Sequence, residues 1–368
     1  MKHVLIVVML LAVAAPARAQ LGGIGGAMKK AQQAQDVMKK VDDLTFSEQE
    51  ETQLGQDVSL KIRQRFGVVQ DPAVHKYVTL AGMAIAQQTE RAKLNWTFIV
   101  LDTDGVNAFA SPGGFVHITR GALGLIQNES ELAAVLGHEI GHVVRKHTIN
   151  AIKKNNAVKI GTQAASTRAA FISQVANAAY DHVLENAYDR GDELDADKFA
   201  VETAPKVGYA PTSLADFLGR LEERNKNQAE RNGLFASHPE TQERIKKIGD
   251  LAKAIKTTAK GEARYKTNIK YQPAALSSIA VVTEGSAGLA GSPSGGKEAE
   301  KKEEPKKGVP VASLKTTTAP EKQSAQVSAS GGARGLGADR AAKGGSNPNP
   351  VKVTVSAAEI DAFKKGIV

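Results

Sequence analysis

The sequence predicts an α+β fold in which a helix carrying an H-E-x-x-H motif lies beside a small antiparallel sheet, followed by a disordered carboxy-terminal tail. Apolar residues recur at helical spacing around the motif. Two segments before it are rich in β-branched and aromatic residues. Beyond about residue 286 the composition turns to Gly, Ser, Ala, Pro and Lys, which cannot form a packed core.

The amino terminus has the pattern of a secretory signal peptide. Lys2 precedes an apolar run at residues 4–15, and residues 17–19 supply the small side chains of a cleavage site. The run is too short to span a bilayer as a helix, and no stop-transfer cluster follows it, which disfavours an uncleaved anchor. We therefore expect residues 1–19 to be removed by cleavage after Ala19, with export to the periplasm or cell envelope.

The remaining chain divides by composition. The predicted segments are a polar amino-terminal segment at 20–45, a folded domain at 46–256, an extension at 257–286 without a predicted structure, a low-complexity disordered linker at 287–350, and a short terminal segment at 351–368. In the terminal segment, apolar spacing at Ile360, Phe363 and Ile367 fits either a short docking helix or a frayed end. A docking helix there would tether the protein to the cell wall or to a partner.

Charge and cysteine content restrict the function classes. The chain contains no cysteine, so any bound metal must be held by His, Asp or Glu, and a cysteine nucleophile is excluded. The formal net charge is +9, but no aromatic residues interleave with the lysines of the tail. We interpret these lysines as a solvated linker in preference to a contact with anionic lipid, and expect no nucleic-acid partner.

Two strands are predicted before the motif, at residues 96–101 and 115–119. The residues between them include Asn107-Ala108-Phe109-Ala110-Ser111-Pro112-Gly113-Gly114, which has the composition of a turn. We therefore expect a hairpin, in which the second strand returns antiparallel beside the first.

The motif lies on a helix predicted at residues 129–147. Asn128 followed by Glu131 fits a capping box ahead of the helical apolar pattern. Gly137 and Gly141 each cost about 1 kcal/mol relative to alanine inside a helix. We therefore expect another element or a substrate to approach the helix closely at these two residues.

His138, Glu139 and His142 form the motif itself. The two histidines are four residues apart, so their imidazoles project from one helix face and can bind one metal ion. Glu139 is displaced about 100° around the axis, which suits it to act on a metal-bound water instead of binding the metal. The alternative, a pair of surface histidines, is disfavoured by their apolar neighbours.

A catalytic zinc takes three protein ligands and a water, so a third ligand must come from elsewhere. Glu193 is the best candidate. Asp197 follows it by four residues on the same helix face, where it can accept a hydrogen bond from the outward nitrogen of a ligand histidine. A solvated acidic face is the alternative for this segment, and it fits Glu185, Asp192 and Asp195.

The chain resembles the M48 metallopeptidases, which include CAAX prenyl endopeptidases and periplasmic outer-membrane quality-control proteases. The resemblance covers about residues 47–251. It rests on Asn107-Ala108-Phe109-Ala110 with Pro112-Gly113-Gly114, the extended motif from His138 to His147, Arg190-x-x-Glu193-x-x-Ala196-Asp197, and Ser237-His238-Pro239 with Arg244-Ile245. It implies one zinc ion per chain with Glu193 as third ligand, Asp197 orienting a ligand histidine, and a mostly helical, gluzincin-like fold.

The resemblance also implies a zinc endopeptidase that cuts unfolded or misassembled polypeptides. Zinc would polarise the scissile carbonyl and lower the pKa of its water to about 7. Glu139 would take the water proton and deliver it to the leaving amine. The strand at 115–119 is expected to align an extended peptide by main-chain pairing.

Three further residues have open roles. By family position, His238 is a transition-state donor, a ligand in a self-blocked resting state, or only part of a helix start. Arg190 is a candidate for contacting the metal ligands without binding the metal itself. We expect His147 to interact with the carboxyl end of the motif helix, where a cation is favourable, and not with zinc.

Residues 157–179 are rich in small side chains but interrupted by polar ones. We predict an amphipathic helix or hairpin that covers the cleft or touches the membrane surface. Periplasmic relatives often carry a carboxy-terminal repeat domain that docks to outer-membrane assembly machinery. The low-complexity tail of this chain leaves a contact with outer-membrane proteins open.

Two other function classes stay open. One is an envelope chaperone-like or binding protein with a latent, self-blocked zinc site, although such a protein would not need Glu139. The other is a zinc hydrolase acting on different bonds, such as cell-wall cross-links, because the motif does not specify the bond that is cut.

Overall fold

The computed structural model describes residues 45–160, 168–185, 188–225, 238, 241–273 and 347–367. The predicted signal peptide at 1–19, nearly all of the polar segment at 20–45 and the linker up to residue 346 lie outside the described residues.

The described residues form helices around one small sheet. The α-helices are α1 (Glu48–Phe66), α2 (Pro72–Ala86), α3 (Arg120–Leu125), α4 (Glu129–Val144), α5 (His147–Ile160), α6 (Arg168–Glu185), α7 (Arg190–Thr203), α8 (Ser213–Asn225), α9 (Thr241–Ala252), α10 (Glu262–Asn268) and α11 (Ala357–Lys365). The strands are β1 (Thr97–Leu101), β2 (Ala108–Ser111) and β3 (Phe115–Thr119). The prediction of a mostly helical α+β domain is confirmed. None of the helices in the described ranges combines the length and apolar character that crossing a bilayer requires.

The sheet is mixed, and its strand order is β1-β3-β2. β1 pairs parallel with β3, whereas β2 pairs antiparallel with β3. The predicted antiparallel hairpin of β1 and β3 is therefore wrong. The prediction failed because residues 108–111 were interpreted as part of a turn, whereas they form a strand of their own. A 3-10 turn at Pro112–Gly114 then reverses the chain a second time, so β3 runs in the direction of β1.

The helix that carries the motif is shorter than predicted. Its start agrees with the sequence, since the Asn128 side chain accepts a hydrogen bond from the Glu131 amide at 3.0 Å. Its end does not, because α4 stops at Val144 and Lys146 adopts a left-handed conformation with φ of 57°. His147 thus opens α5 instead of ending the motif helix.

α7 packs against α4 at the two glycines of the motif helix. A Cβ atom on Gly137 would lie 3.5 Å from Cα of Ala200, and one on Gly141 would lie 3.3 Å from Cα of Ala196. The expected close approach is therefore made by α7, which brings its own buried face against that of α4.

α6 occupies much of the region for which a cleft-covering or membrane-contacting helix was predicted. Its buried residues Val175 and Ala179 belong to one apolar cluster with Leu54, Val58 and Ile62 of α1. This face of α6 is therefore part of the folded domain.

The carboxy-terminal helix α11 also packs on the domain. Ile360 and Phe363 are buried, and the Phe363 ring lies 6.0 Å from that of Tyr77 in α2. The guanidinium of Arg264 lies 4.2 Å from the centre of the Phe363 ring and donates a hydrogen bond to Glu129 at the start of α4. The apolar face of α11, which was predicted from the sequence as a possible tether to the cell wall or a partner, is thus covered by the chain's own domain.

We expect Phe363→Ala to lower the free energy of unfolding by about 3 kcal/mol, because it removes a buried ring and leaves a cavity between α2 and α11. Asp361→Ala in the same helix, at a side chain that is 61% exposed, is the control and should change it by less than about 0.5 kcal/mol. Urea unfolding of the full chain measures both. Equal effects of the two substitutions would contradict the docking of α11.

Candidate metal centre

Four side chains converge in the interior of the domain: His138 and His142 of α4, Glu193 of α7, and His238 from the chain between α8 and α9. One donor atom of each lies within 4.8 Å of the others. The Nε2 atoms of the two α4 histidines are 3.1 Å apart, and Nδ1 of His238 is 2.7 Å from Oε1 of Glu193. All four residues are buried, none more than 3% exposed.

The local structure explains this convergence. His138 and His142 occupy one face of α4 on successive turns, as their spacing predicts. Because Gly137 and Gly141 have no side chains, α7 packs close to α4, and Glu193 reaches the two histidines. Three of these four residues, His138, His142 and Glu193, are the ligands predicted from the sequence, and the structure brings their side chains together.

The donor set suits zinc. Two imidazole nitrogens and one carboxylate form the His₂Glu ligand set of a known class of catalytic zinc sites. Burial, which disfavours a charged imidazole, lowers the pKa of His142 well below its ordinary value and keeps the ring in the neutral form that binds metals. Burial would raise the pKa of Glu193, but His238 and Arg244 outweigh it and hold that carboxyl well below its ordinary range.

Glu139 lies beside this group. Its carboxylate is fully buried, and within the described ranges neither oxygen has a hydrogen-bond partner. The nearest cationic candidate is Nε2 of His238, 3.7 Å from Oε1. Burial raises the pKa of Glu139, against the opposing effect of His238 and His138. A buried carboxylate without a partner is costly, and a water on a bound metal would offer it one.

Asp197 and Arg244 lie directly behind the donors. Oδ1 of Asp197 is 3.0 Å from Nδ1 of His138, the contact expected from the spacing of Asp197 and Glu193. Arg244 donates hydrogen bonds of 2.7 Å to both oxygens of Asp197, and lies 2.7 Å from Oε2 of Glu193. Burial would raise the pKa of Asp197, but Arg244 outweighs it and lowers that pKa to about 2.

No role was assigned to Arg244 from the sequence, and the structure places Arg190 away from the candidate ligands. Arg244 was noticed only as part of a family motif, since its burial between two carboxylates depends on how α9 packs on α7. Arg190 was a candidate for supporting the ligands. Its side chain is instead 59% exposed and donates a 2.7 Å hydrogen bond to Glu243, because the first turn of α7 faces the surface there.

Comparison with known proteins identifies the same region. Residues 72–252 match the model of peptidase family M48. A beta-barrel assembly-enhancing protease of Yersinia pestis is 23% identical over 222 residues, which cover 58% of this chain and 46% of that protein. The metalloprotease YcaL of Escherichia coli is 30% identical over 152 residues, covering 40% of this chain and 59% of YcaL. The mitochondrial metalloendopeptidase OMA1 of Schizosaccharomyces pombe is 25% identical over 201 residues, 54% of this chain and 60% of OMA1. The chain spans less than half the length of the beta-barrel assembly-enhancing proteases that it matches.

We expect the mature protein to bind one zinc ion, and His138→Ala or Glu193→Gln to weaken binding by more than about 100-fold, because each removes one of three ligands. His75→Gln is the control, since His75 is also buried but its Nε2 contacts the Val69 carbonyl. Chelator competition gives the affinities. Unchanged zinc affinity in His138→Ala and Glu193→Gln would show that these residues do not bind zinc.

The helix spacing can be tested separately. Gly141→Ala should weaken zinc binding and lower the free energy of unfolding by about 1–3 kcal/mol, because its Cβ would crowd Ala196 and Phe199 and push α7 outward. Gly219→Ala in α8 meets open space and should raise the unfolding free energy by about 1 kcal/mol. Stabilisation by both substitutions would show that α4 and α7 are not held at contact distance.

Proposed function

The chain belongs to peptidase family M48 through its residues 72–252, and from this premise we propose that it is a zinc-dependent endopeptidase of the cell envelope. The observation that carries the proposal is the convergence of His138, His142 and Glu193 beside the unpaired, buried carboxylate of Glu139. A purely structural metal site would not need that carboxylate. The metalloprotease names of the relatives support the same reaction class.

The proposed reaction is hydrolysis of a peptide bond by an activated water. Zinc held by His138, His142 and Glu193 would supply a Lewis acid for the water and the scissile carbonyl. Glu139 accepts the proton of the attacking water on a carboxylate oxygen, and then donates it to the leaving amine nitrogen. Its burial raises its pKa, which helps the carboxyl to hold the proton between these two transfers.

The residues behind the ligands hold them in orientation. Oδ1 of Asp197 lies 3.0 Å from Nδ1 of His138, so it would hold the proton of the ring on Nδ1 and leave Nε2 to bind the metal. Arg244 fixes Asp197 through two hydrogen bonds and balances the charge of Glu193. In this proposal Arg244 acts through the carboxylates and does not touch the substrate.

The substrate strand is proposed to pair with β2 instead of β3. β3 was expected to align the peptide, but it is the central strand and already has partners on both sides. Within the described ranges β2 has a strand partner on one side only, and it ends at a small cleft that is also lined by His142 and Lys146. The four residues of β2 are buried, so a peptide has to open this edge in order to pair with it. Main-chain pairing would favour unfolded or loop segments over compact substrates.

A second candidate is a chaperone-like or binding protein with a self-blocked site. The observation that favours it is His238, whose Nδ1 lies 3.2 Å from Nε2 of His138 and 2.7 Å from Glu193. In that position His238 could act as a fourth donor and exclude substrate. The same geometry also fits an endopeptidase in a resting state.

The envelope location and substrate class rest on two further observations. The amino-terminal pattern of a signal peptide supports export. Several relatives are named beta-barrel assembly-enhancing proteases, and by analogy with these proteins we propose unfolded or misassembled envelope proteins as substrates. Contact with a membrane surface or an outer-membrane protein remains part of this proposal.

The deciding experiment is casein cleavage by the mature wild-type chain and by Glu139→Gln, with zinc content measured on both. We expect the substitution to lower the rate by at least about 100-fold while zinc stays bound, because only proton transfer is lost. Equal cleavage by the two proteins would exclude the proposed role of Glu139.

The self-blocked alternative calls for His238→Ala, measured alone and combined with Glu139→Gln. If His238 blocks the site, its removal should raise cleavage, and the double variant should be inactive, because the released activity still needs the carboxylate. If both wild type and His238→Ala bind zinc and neither cleaves casein, the chaperone-like or binding protein is the favoured hypothesis.

A further inference from the structure

The two α4 histidines have different partners at their outward nitrogens. Nδ1 of His138 faces the carboxylate of Asp197 at 3.0 Å. Nδ1 of His142 instead faces another imidazole, with Nδ1 of His147 at 3.0 Å. His147 is buried, and the proposed function assigns it no part.

The proton positions on this pair can be worked out. Two ring nitrogens 3.0 Å apart form a hydrogen bond only if one carries a proton and the other a lone pair. If His142 binds zinc through Nε2, its proton is on Nδ1, so Nδ1 of His147 must be the acceptor. The proton of His147 is then on Nε2.

That remaining proton also faces acceptors. Nε2 of His147 lies 3.4 Å from Oδ2 of Asp195 and 3.7 Å from Oδ1 of Asp192. Each N–H along the series from His142 to His147 to the α7 carboxylates therefore points towards an acceptor. These two carboxylates were interpreted from sequence as members of a solvated helix face.

The break between α4 and α5 makes the contact possible. In one continuous helix, residues five apart are separated by about 140° around the axis, so His147 would point away from His142. Lys146, with φ of 57°, lies between the end of α4 at Val144 and the start of α5 at His147, and it interrupts the helical path there. A lysine in this conformation is strained, and the strain is tolerated at the position that lets His147 contact the candidate ligand His142.

A second contact restrains the face of the same ring. The phenol of Tyr188 stacks on His142 with 3.9 Å between ring centroids and 29° between planes. Its hydroxyl is held 2.9 Å from Oγ1 of Thr148, the residue after His147. His147 restrains His142 in the ring plane, and Tyr188 restrains it perpendicular to that plane.

We propose that His147 is a positioning residue for His142, accepting a hydrogen bond from Nδ1–H and so directing Nε2 towards the metal. It fills for His142 the role that Asp197 fills for His138. The proposal rests on the proposed zinc site. It differs from the expectation that His147 interacts with the carboxyl end of the motif helix.

The two supports differ in their surroundings. Asp197 is buried and fixed by Arg244. The side chains of Asp195 and Asp192 are 43% and 30% exposed, so water can replace either of them at Nε2 of His147. We therefore expect metal binding to depend on the acceptor at Nδ1 of His147 more than on the contacts of its Nε2. Asp195→Ala, which removes only a contact of Nε2, should change zinc affinity by less than about threefold.

The test compares His147→Ala with His147→Asn, using zinc affinity from chelator competition. Alanine removes the acceptor and should weaken binding by about 10- to 100-fold. Asparagine can present its amide oxygen near the position of Nδ1, and should restore affinity to within about threefold of the wild type. In the cobalt-substituted protein, the absorption bands should shift in His147→Ala and stay near those of the wild type in His147→Asn.

His75→Ala is the control for loss of a buried histidine, and should lower thermal stability without changing zinc affinity or the cobalt spectrum. Wild-type affinity and spectrum in His147→Ala would overturn the proposal, as would an equal loss in His147→Asn. If His147→Ala does not fold, His147→Asn decides alone, because a tenfold loss of affinity in it contradicts the proposal. A wild-type chain that binds no zinc would instead refute the proposed function, which separates the two failures.

Discussion

The contact between α4 and α7 is the constraint on which the rest of the site depends. Gly137 and Gly141 remove the side chains that would separate the two helices, so Ala196 and Ala200 approach the backbone of α4. That spacing brings Glu193 to the histidine pair. It also brings Asp197 of α7 to within 3.0 Å of Nδ1 of His138 on α4. Helical propensity lost at two glycines is offset by the packing of two buried faces.

The buried charges behind the donors form a second constraint. Isolated ions are costly in a protein interior unless each has a partner. Arg244 meets this requirement for Asp197 and Glu193 together, and His238 adds a further contact to Glu193. Glu139 is left without a hydrogen bond in the described ranges. The site therefore holds its supporting groups in fixed positions and leaves one carboxylate for chemistry, which is the arrangement that the proposed hydrolysis requires.

Several sequence-based predictions failed for reasons that are physical and specific. Phe109 is the only residue of 108–111 with a strong preference for strands, and the segment lies next to turn residues. Its strand is stabilised by pairing with β3 and by burial, neither of which local sequence reveals. The end of α4 depends on a left-handed lysine, a residue type with little preference for that conformation. Arg190 and Arg244 are the same residue type, and only the packing of α7 and α9 leaves one exposed and the other buried.

The sequence by itself determined the chemistry that this protein can carry. The spacing of His138, Glu139 and His142 on one helix follows from helix geometry alone, and the spacing of Glu193 and Asp197 puts two carboxylates on another helix face. The tertiary structure decided which further partners these groups meet: His238, Arg244 and His147. Those contacts join residues that local periodicity cannot relate, because they depend on where helices pack and where the chain turns.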